Sequence, residues 1–245
     1  MQRVLLAGLV GLLASVFAVE PARADGFQGR KPGWTGLYVG LHAGWIDGAS
    51  SGAHDTFQLF QIDPTAQSLD GNVVGGQIGY NYQLGQIVLG AEISGSWADA
   101  DGAGNCFVNF PSNPFNNCRI EQEWSAMFLS RLGLAFNDRI LAYALGGVAM
   151  AHVEQKFNYL FPIFLNPAEQ KGSADHIGVV FGAGLQFAIG DNLSFGVEWL
   201  HTNYGSQTYH LQTTQGAVAT IATHQQDLET DVVRAVLNYR FGPPP

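Results

Sequence analysis

Residues 74–97 read VGGQIGYNYQLGQIVLGAEISGSW, two alternating segments on either side of the short turn Leu84-Gly85-Gln86. Successive side chains of a β-strand face opposite sides of a sheet, so each segment divides into two rows. One row is apolar in both segments: Val74, Ile78, Tyr80 and Tyr82 before the turn, and Ile87, Leu89, Ala91, Ile93 and Trp97 after it. The stretch therefore predicts an antiparallel hairpin with one apolar face.

Similar hairpins recur along the rest of the chain. Two further tight turns, at 137–139 and 190–192, alternate with four long polar connections, at about 47–70, 98–119, 155–175 and 201–227. Short turns at one end and long loops at the other are typical of a β-barrel that crosses an outer membrane. We therefore predict an all-β fold, an eight-stranded antiparallel up-and-down transmembrane β-barrel, over residues 34–241. The facing of the strand near 140–153 is left open, because this stretch is apolar on both rows.

The start of the chain predicts export. Residues 1–24 have the form of a secretory signal peptide, in which Arg3 precedes an apolar run and Ala22-Arg23-Ala24 supplies an A-x-A cleavage site. The apolar run is too short to be read as a membrane anchor. Residues 25–33 are then a short periplasmic segment before the barrel, and residues 242–245 form a C-terminal tail.

Composition and motifs exclude several classes of function. The chain has 11 basic and 20 acidic residues, whereas nucleic-acid binding needs a clustered positive surface. The G-x-S-x-G match at 48–52 lies in a Ser/Gly loop and not at a strand–turn–helix elbow, so we predict that the protein is not an enzyme. Cys106 and Cys118 lie in one connection of an exported chain, which predicts a structural disulfide.

Large aromatic residues lie at the two ends of the apolar rows. Tryptophans occupy the long-loop ends, namely Trp45, Trp97, Trp124 and Trp199, whereas Tyr80, Tyr82, Tyr239 and Phe241 lie toward the short turns. This distribution predicts two aromatic girdles, one at each interface between lipid and water. We expect outer-membrane lipids as the surroundings of the barrel.

Four ionisable residues, Glu92, Arg131, Glu198 and Arg234, lie on the rows opposite the apolar ones. They are at similar distances from the short-turn end, with one acid and one base on each of two pairs of neighbouring strands. An eight-stranded barrel is just wide enough to be filled by side chains, and buried charges need partners. We expect the opposite charges to pair as a static polar plug. A gate that opens for ions is the alternative.

Several stretches carry a family resemblance. They are Trp34-Thr35-Gly36-Leu37-Tyr38-Val39-Gly40, Leu89-Gly90-Ala91-Glu92, Arg131-Leu132-Gly133-Leu134-Ala135-Phe136 and Val233-Arg234-Ala235-Val236-Leu237-Asn238-Tyr239-Arg240-Phe241. The chain resembles the alphaproteobacterial outer-membrane immunogenic proteins, small OmpA-like barrels often labelled "porin family". The resemblance implies an outer-membrane location, a blocked interior, and a role in membrane integrity and surface display. It also implies that the barrel-assembly machinery recognises the last strand at Phe241, although residues 242–245 follow here.

Histidines favour a second alternative function. Six of them, His54, His152, His176, His201, His210 and His224, lie at or above the long-loop end, whereas His42 is expected in the interior. His152, His176, His201 and His210 are candidate haem or metal ligands, although no pair has a recognised ligand spacing. We expect no cofactor; the alternatives to a structural barrel are a narrow porin-like channel and a haemin- or metal-binding surface receptor. The apolar segment 157–165 is a candidate surface for an extracellular partner.

Overall fold

Eight antiparallel strands follow one another around a closed barrel in the computed structural model. The structure describes residues 33–55, 65–104, 117–137, 139–160, 167–213 and 222–241. In chain order the strands are β1 (Gly36–Asp55), β2 (Thr65–Leu84), β3 (Ile87–Gly104), β4 (Asn117–Asn137), β5 (Ile140–Leu160), β6 (Pro167–Ala188), β7 (Leu193–Thr213) and β8 (Ala222–Phe241). Each strand pairs with the next, and β1 pairs with β8 to close the barrel. The predicted eight-stranded up-and-down fold is confirmed.

Some predicted features fall outside the described residues. The leader 1–24, the segment 25–32 and the tail 242–245 are among them, and so is Cys106. Nothing is described of the side chain of Cys118 either, so the disulfide stays a prediction. Among the described residues, no helix is long and apolar enough to cross a membrane.

The strands extend farther than the sequence pattern indicates. β1 pairs with β8 as far as Asp55, which lies opposite Thr223, and β5 pairs with β6 as far as Leu160, opposite Pro167. The prediction of long connections at 47–70, 98–119, 155–175 and 201–227 is therefore wrong in extent. These stretches are rich in residues that favour turns, but backbone pairing in an antiparallel ladder does not require an apolar row.

The three short turns lie together at one end of the barrel, which we call the turn end; the opposite end is the far end. Gly85 and Gln86 join β2 to β3, and Gly85 has a φ of +62°, a left-handed conformation that glycine adopts without steric cost. The backbone N–H of Ala135 donates to the carbonyl oxygen of Gln86 at 2.7 Å, which ties this turn to β4.

Apolar side chains cover the outside of the barrel. The exposed fraction reaches 70% for Leu41 and 71% for Trp97, and the apolar rows predicted for the strands other than β5 lie on this outer surface. Such an exterior is stable in contact with lipid. Because a closed sheet has no free edge, its backbone groups are hydrogen-bonded between strands, which lipid also requires. On β5, whose facing the sequence leaves open, Leu141, Tyr143 and Leu145 face inward.

The inside of the barrel is filled by side chains. Six apolar side chains toward the far end are almost completely buried: Ile46, Leu69, Ile120, Val153, Leu200 and Leu228. They come from six strands. Four of them, Ile46, Leu69, Ile120 and Leu228, lie in the polar-looking stretches that continue the ladder beyond the aromatic girdle, or at the border of those stretches. These six side chains form an apolar layer toward the far end, where Gln122, His176, Thr202 and Thr230 are also buried.

A charge placed on the outer surface of β4 should test how deep each position lies in the membrane. Leu132 lies between Trp124 and Phe136 on the same strand, and both Leu132 and Phe136 are exposed. We expect Leu132→Arg to lower the free energy of unfolding by about 2–4 kcal/mol and Phe136→Arg by about 0–1 kcal/mol. Urea unfolding in lipid vesicles, followed by tryptophan fluorescence, measures both. Equal losses for the two variants would contradict this placement.

Candidate functional site: a buried charge cluster

The four ionisable residues of the interior form one cluster. The Arg131 guanidinium lies 2.6 Å from Glu92 Oε2 and 3.3 Å from Glu198 Oε1, both measured from Nη2. Nη2 of Arg234 lies 2.6 Å from Glu198 Oε2 and 3.2 Å from Glu92 Oε1. Each arginine thus contacts both carboxylates, so the acids and bases that the sequence placed in two separate pairs share one network.

This cluster is shielded from solvent. The exposed fraction of each of its four side chains is 0% or 1%. Bringing a charge out of water costs several kcal/mol, and attraction to a partner offsets this cost only where the geometry is good and the remaining polar atoms are bonded. The cluster consequently depends on every one of its members being present.

Two tyrosines complete the bonding of the carboxylates. The hydroxyl of Tyr38 on β1 donates to Glu92 Oε2 at 2.6 Å, and that of Tyr143 on β5 donates to Glu198 Oε1 at 2.7 Å. The carbon at the centre of the Arg131 guanidinium lies 4.1 Å from the ring centroid of Tyr143 and 5.3 Å from that of Tyr38. Arg131 therefore lies between two aromatic faces, which attract a cation.

Each tyrosine ring lies over a glycine of the next strand. A Cβ atom on Gly79 of β2 would collide with the ring and hydroxyl of Tyr38, and one on Gly184 of β6 with the ring of Tyr143. A strand glycine often marks such a close approach. The glycines thus give the rings room to lie along the barrel wall with their hydroxyls directed at the glutamates.

The cluster repeats after four strands. Tyr38, Gly79, Glu92 and Arg131 lie on β1 to β4 in that order, and Tyr143, Gly184, Glu198 and Arg234 lie on β5 to β8 in the same order. The sequence analysis missed both tyrosines as members of the site, because it considered only charged residues and left β5 unassigned. Comparing the two halves of the chain position by position would have found them.

A neutral hydrogen-bond network surrounds the charges. Arg131 Nη1 donates to Gln186 Oε1 at 3.2 Å. Gln77 Nε2 donates to Asn238 Oδ1 at 2.8 Å, and Gln77 Oε1 lies 2.6 Å from Nδ1 of His42. His42 lies inside the barrel, and its other ring nitrogen lies 2.8 Å from Ser96 Oγ. Gln77 on β2 therefore belongs to the same interior layer as the charges.

The aromatic residues predicted to form girdles lie on the outer surface. Trp45 and Trp199 are both paired with Val233, and Trp97 is paired with Trp124, so the tryptophans lie at similar heights toward the far end. Near the turn end the rings of Tyr239 and Phe241 are in contact, with centroids 5.1 Å apart, and Tyr80 and Tyr82 are exposed on β2.

The histidine candidates do not meet at one point. His176 is buried on the inner side of β6, with its ring 6.2 Å from that of Tyr204. His152 and His201 lie on the outer surface, where their Nδ1 atoms are 2.7 Å from Asp175 Oδ1 and 3.1 Å from Asp231 Oδ1 respectively. Nothing is described of the side chains of His54, His210 and His224. His152, His176 and His201 therefore do not share a haem site.

Known proteins resemble this chain along almost its whole length. The 31 kDa outer-membrane immunogenic protein of Brucella melitensis is 28% identical over 257 aligned residues, which cover 98% of this chain and 100% of that protein. The 22 kDa outer membrane protein of Rhizobium leguminosarum is 24% identical, and the alignment covers 86% of this chain and 90% of that protein. The resemblance to alphaproteobacterial outer-membrane immunogenic proteins is confirmed.

Solved structures and a family model agree with this relationship. The outer membrane protein OprG of Pseudomonas aeruginosa has the same fold with a TM-score of 0.52 at 10% sequence identity, over 85% of this chain and 97% of that one. A family model described as the outer membrane protein beta-barrel domain matches residues 9–241. The protein is therefore located in the outer membrane of a Gram-negative cell. This chain belongs to the outer membrane protein β-barrel domain family.

Proposed function

We propose that the protein is a structural and surface-display component of the outer membrane whose interior is closed to solutes. The observation that carries this proposal is the charge cluster of Glu92, Arg131, Glu198 and Arg234, which is inaccessible to solvent inside the barrel. We also propose that the chain is not an enzyme, since both buried carboxylates are bonded to arginine and tyrosine and cannot reach a substrate.

The competing function is a narrow ion channel, which the polar interior near the turn end favours. Two features argue against it. An eight-stranded barrel leaves room for little more than its own side chains. An ion would also have to pass the apolar layer that contains Ile46, Leu69 and Leu228. These side chains have no polar atoms that could replace the water of its hydration shell. A closed interior accounts for both layers together.

Surface display is supported by the length of the strands. The ladders continue beyond the tryptophan girdle, so the far ends of the strands lie away from the lipid surface. The Brucella relatives carry the word immunogenic in their names, which is consistent with parts of such proteins being presented outside the cell. We propose that the far end faces outward, that its connections meet any extracellular partner, and that the assembly machinery recognises β8 at Phe241.

Electrical recording separates a closed barrel from a channel. We expect refolded protein in a planar lipid bilayer to give no steady current, because both the charge cluster and the apolar layer block the interior. Heat-modifiable mobility on a gel confirms that the barrel is folded. A steady, ion-selective conductance that changes in a Glu92→Gln variant would contradict the proposal and identify a channel.

Removal of one buried arginine should destabilise the barrel without producing a large pore. Arg131→Ala leaves Glu92 and Glu198 short of a partner, and we expect a loss of about 3–5 kcal/mol in the free energy of unfolding. Arg119→Ala on the same strand is the matched control. Arg119 is half exposed and pairs with Asp101 at 3.2 Å and Glu121 at 2.9 Å, and surface pairs of this kind should contribute at most about 1 kcal/mol. Similar losses for both variants would refute a special role of the cluster.

The tyrosines should contribute measurably through their hydroxyls alone. Tyr38→Phe and Tyr143→Phe each remove one donor to a buried carboxylate, and we expect each to lower the free energy of unfolding by about 1–3 kcal/mol. Tyr239→Phe, on the exposed outer surface, should change it by less than about 0.5 kcal/mol. Denaturant titration of the three variants provides the comparison, and a negligible effect of both inner variants would show that the hydroxyls are dispensable.

A further inference from the structure

A β-bulge on β4 brings an extra acidic residue to the outer surface. The pairing of β4 with β5 shifts between Gln122 and Trp124, which leaves Glu123 as the additional residue. Ser125 and Gln122 both face inward, so the inward row changes parity at this point. Glu123 and Trp124 therefore both face outward, and such bulges are known to redirect side chains in this way.

Glu123 lies beside two potential metal ligands of β5. His152 is paired with Trp124, and Glu154 follows two residues later on the same outer row. One ligand atom from each of Glu123, His152 and Glu154 can be chosen so that all three lie within 4.8 Å of one another. Among the residues that the structure describes, no other such group of three histidine, cysteine or acidic side chains occurs.

The orientation of His152 fits that of a metal ligand. Its Nδ1 atom lies 2.7 Å from Asp175 Oδ1 on β6, a strand that contributes none of the three ligands. Histidines that bind metals commonly donate their second ring N–H to a carboxylate in this way, which fixes the tautomer and leaves the lone pair on Nε2. The Trp124 ring lies parallel to the imidazole, with an angle of 4° and centroids 6.1 Å apart.

We propose that Glu123, His152 and Glu154 bind a divalent metal ion of the Zn²⁺ class on the outer surface of the barrel. One imidazole nitrogen and two carboxylates are ligands that zinc accepts, whereas Ca²⁺ and Mg²⁺ prefer sites made entirely of oxygen. Three protein ligands leave a position for water. The site lies at the height of the far-end tryptophans and is separate from the buried cluster, so it does not depend on the barrel being closed.

A nearby lysine does not occupy the site. Lys156 Nζ lies 2.5 Å from Glu121 Oε2 and 3.9 Å from Glu154 Oε2, so its short contact is with Glu121. Glu121 is thus paired with Lys156 and, through its other oxygen at 2.9 Å, with Arg119. The two carboxylates of the site remain available for a cation.

Calorimetric titration of ZnCl₂ into the refolded, EDTA-treated full chain tests the proposal. We expect saturable binding that His152→Ala abolishes and that Glu123→Gln and Glu154→Gln each weaken. Asp175→Ala keeps all three ligands but removes the partner of Nδ1, and we expect it to weaken binding by about 10–100-fold. Heat-modifiable mobility confirms that each variant is folded.

His201→Ala is the matched control, because His201 also lies on the outer surface, beside Trp199 and hydrogen-bonded to Asp231. We expect this variant to bind Zn²⁺ as the unaltered protein does. Absence of Zn²⁺ binding in the unaltered protein, retention of full binding in His152→Ala, or equal loss in His201→Ala would overturn the proposal. Equally tight binding of Ca²⁺ would also overturn it, since it would reveal an unselective acidic surface.

Discussion

The need to pair four charges away from water governs the interior of this barrel. Glu92, Arg131, Glu198 and Arg234 cannot be considered as separate salt bridges, because each arginine contacts both carboxylates. Each carboxylate further accepts a hydrogen bond from a tyrosine, and each tyrosine needs a glycine beside its ring. A single buried network thereby places a requirement on every strand, and the eight strands meet it in two similar sets of four.

The proposed closed interior leaves the ends and the outer surface of the barrel as the places where it can meet other molecules. The apolar belt contacts lipid, and beyond the tryptophan girdle the strands carry polar and charged residues. The cluster of Glu123, His152 and Glu154 lies at this border, where the bulge of β4 interrupts the regular alternation. The proposed surface display and metal binding therefore concern a different part of the molecule from the one that ensures its stability.

Alternation of side chains could be read from the sequence, but contacts across the barrel could not. The period of two residues correctly places Leu37 outside and Arg234 inside, since it depends only on neighbouring positions along one strand. It fails on β5, where both rows are apolar, and at Glu123, where a bulge changes the parity. The meeting of Tyr143 with Glu198 depends on the circumference and stagger of the closed sheet, which no single strand encodes.

The equivalence of the two halves has a consequence for how the chain enters the membrane. Strands β1–β4 contribute Glu92 and Arg131 to the interior, and strands β5–β8 contribute Glu198 and Arg234. Within each half the acid and the base already lie close enough to pair, at 2.6 Å in both cases. The charge cluster therefore adds no net charge to the inner side of either half of the sheet before β1 and β8 meet. In a partly inserted barrel, each half would therefore carry the charges of the cluster into the lipid as an acid–base pair and not as single ions.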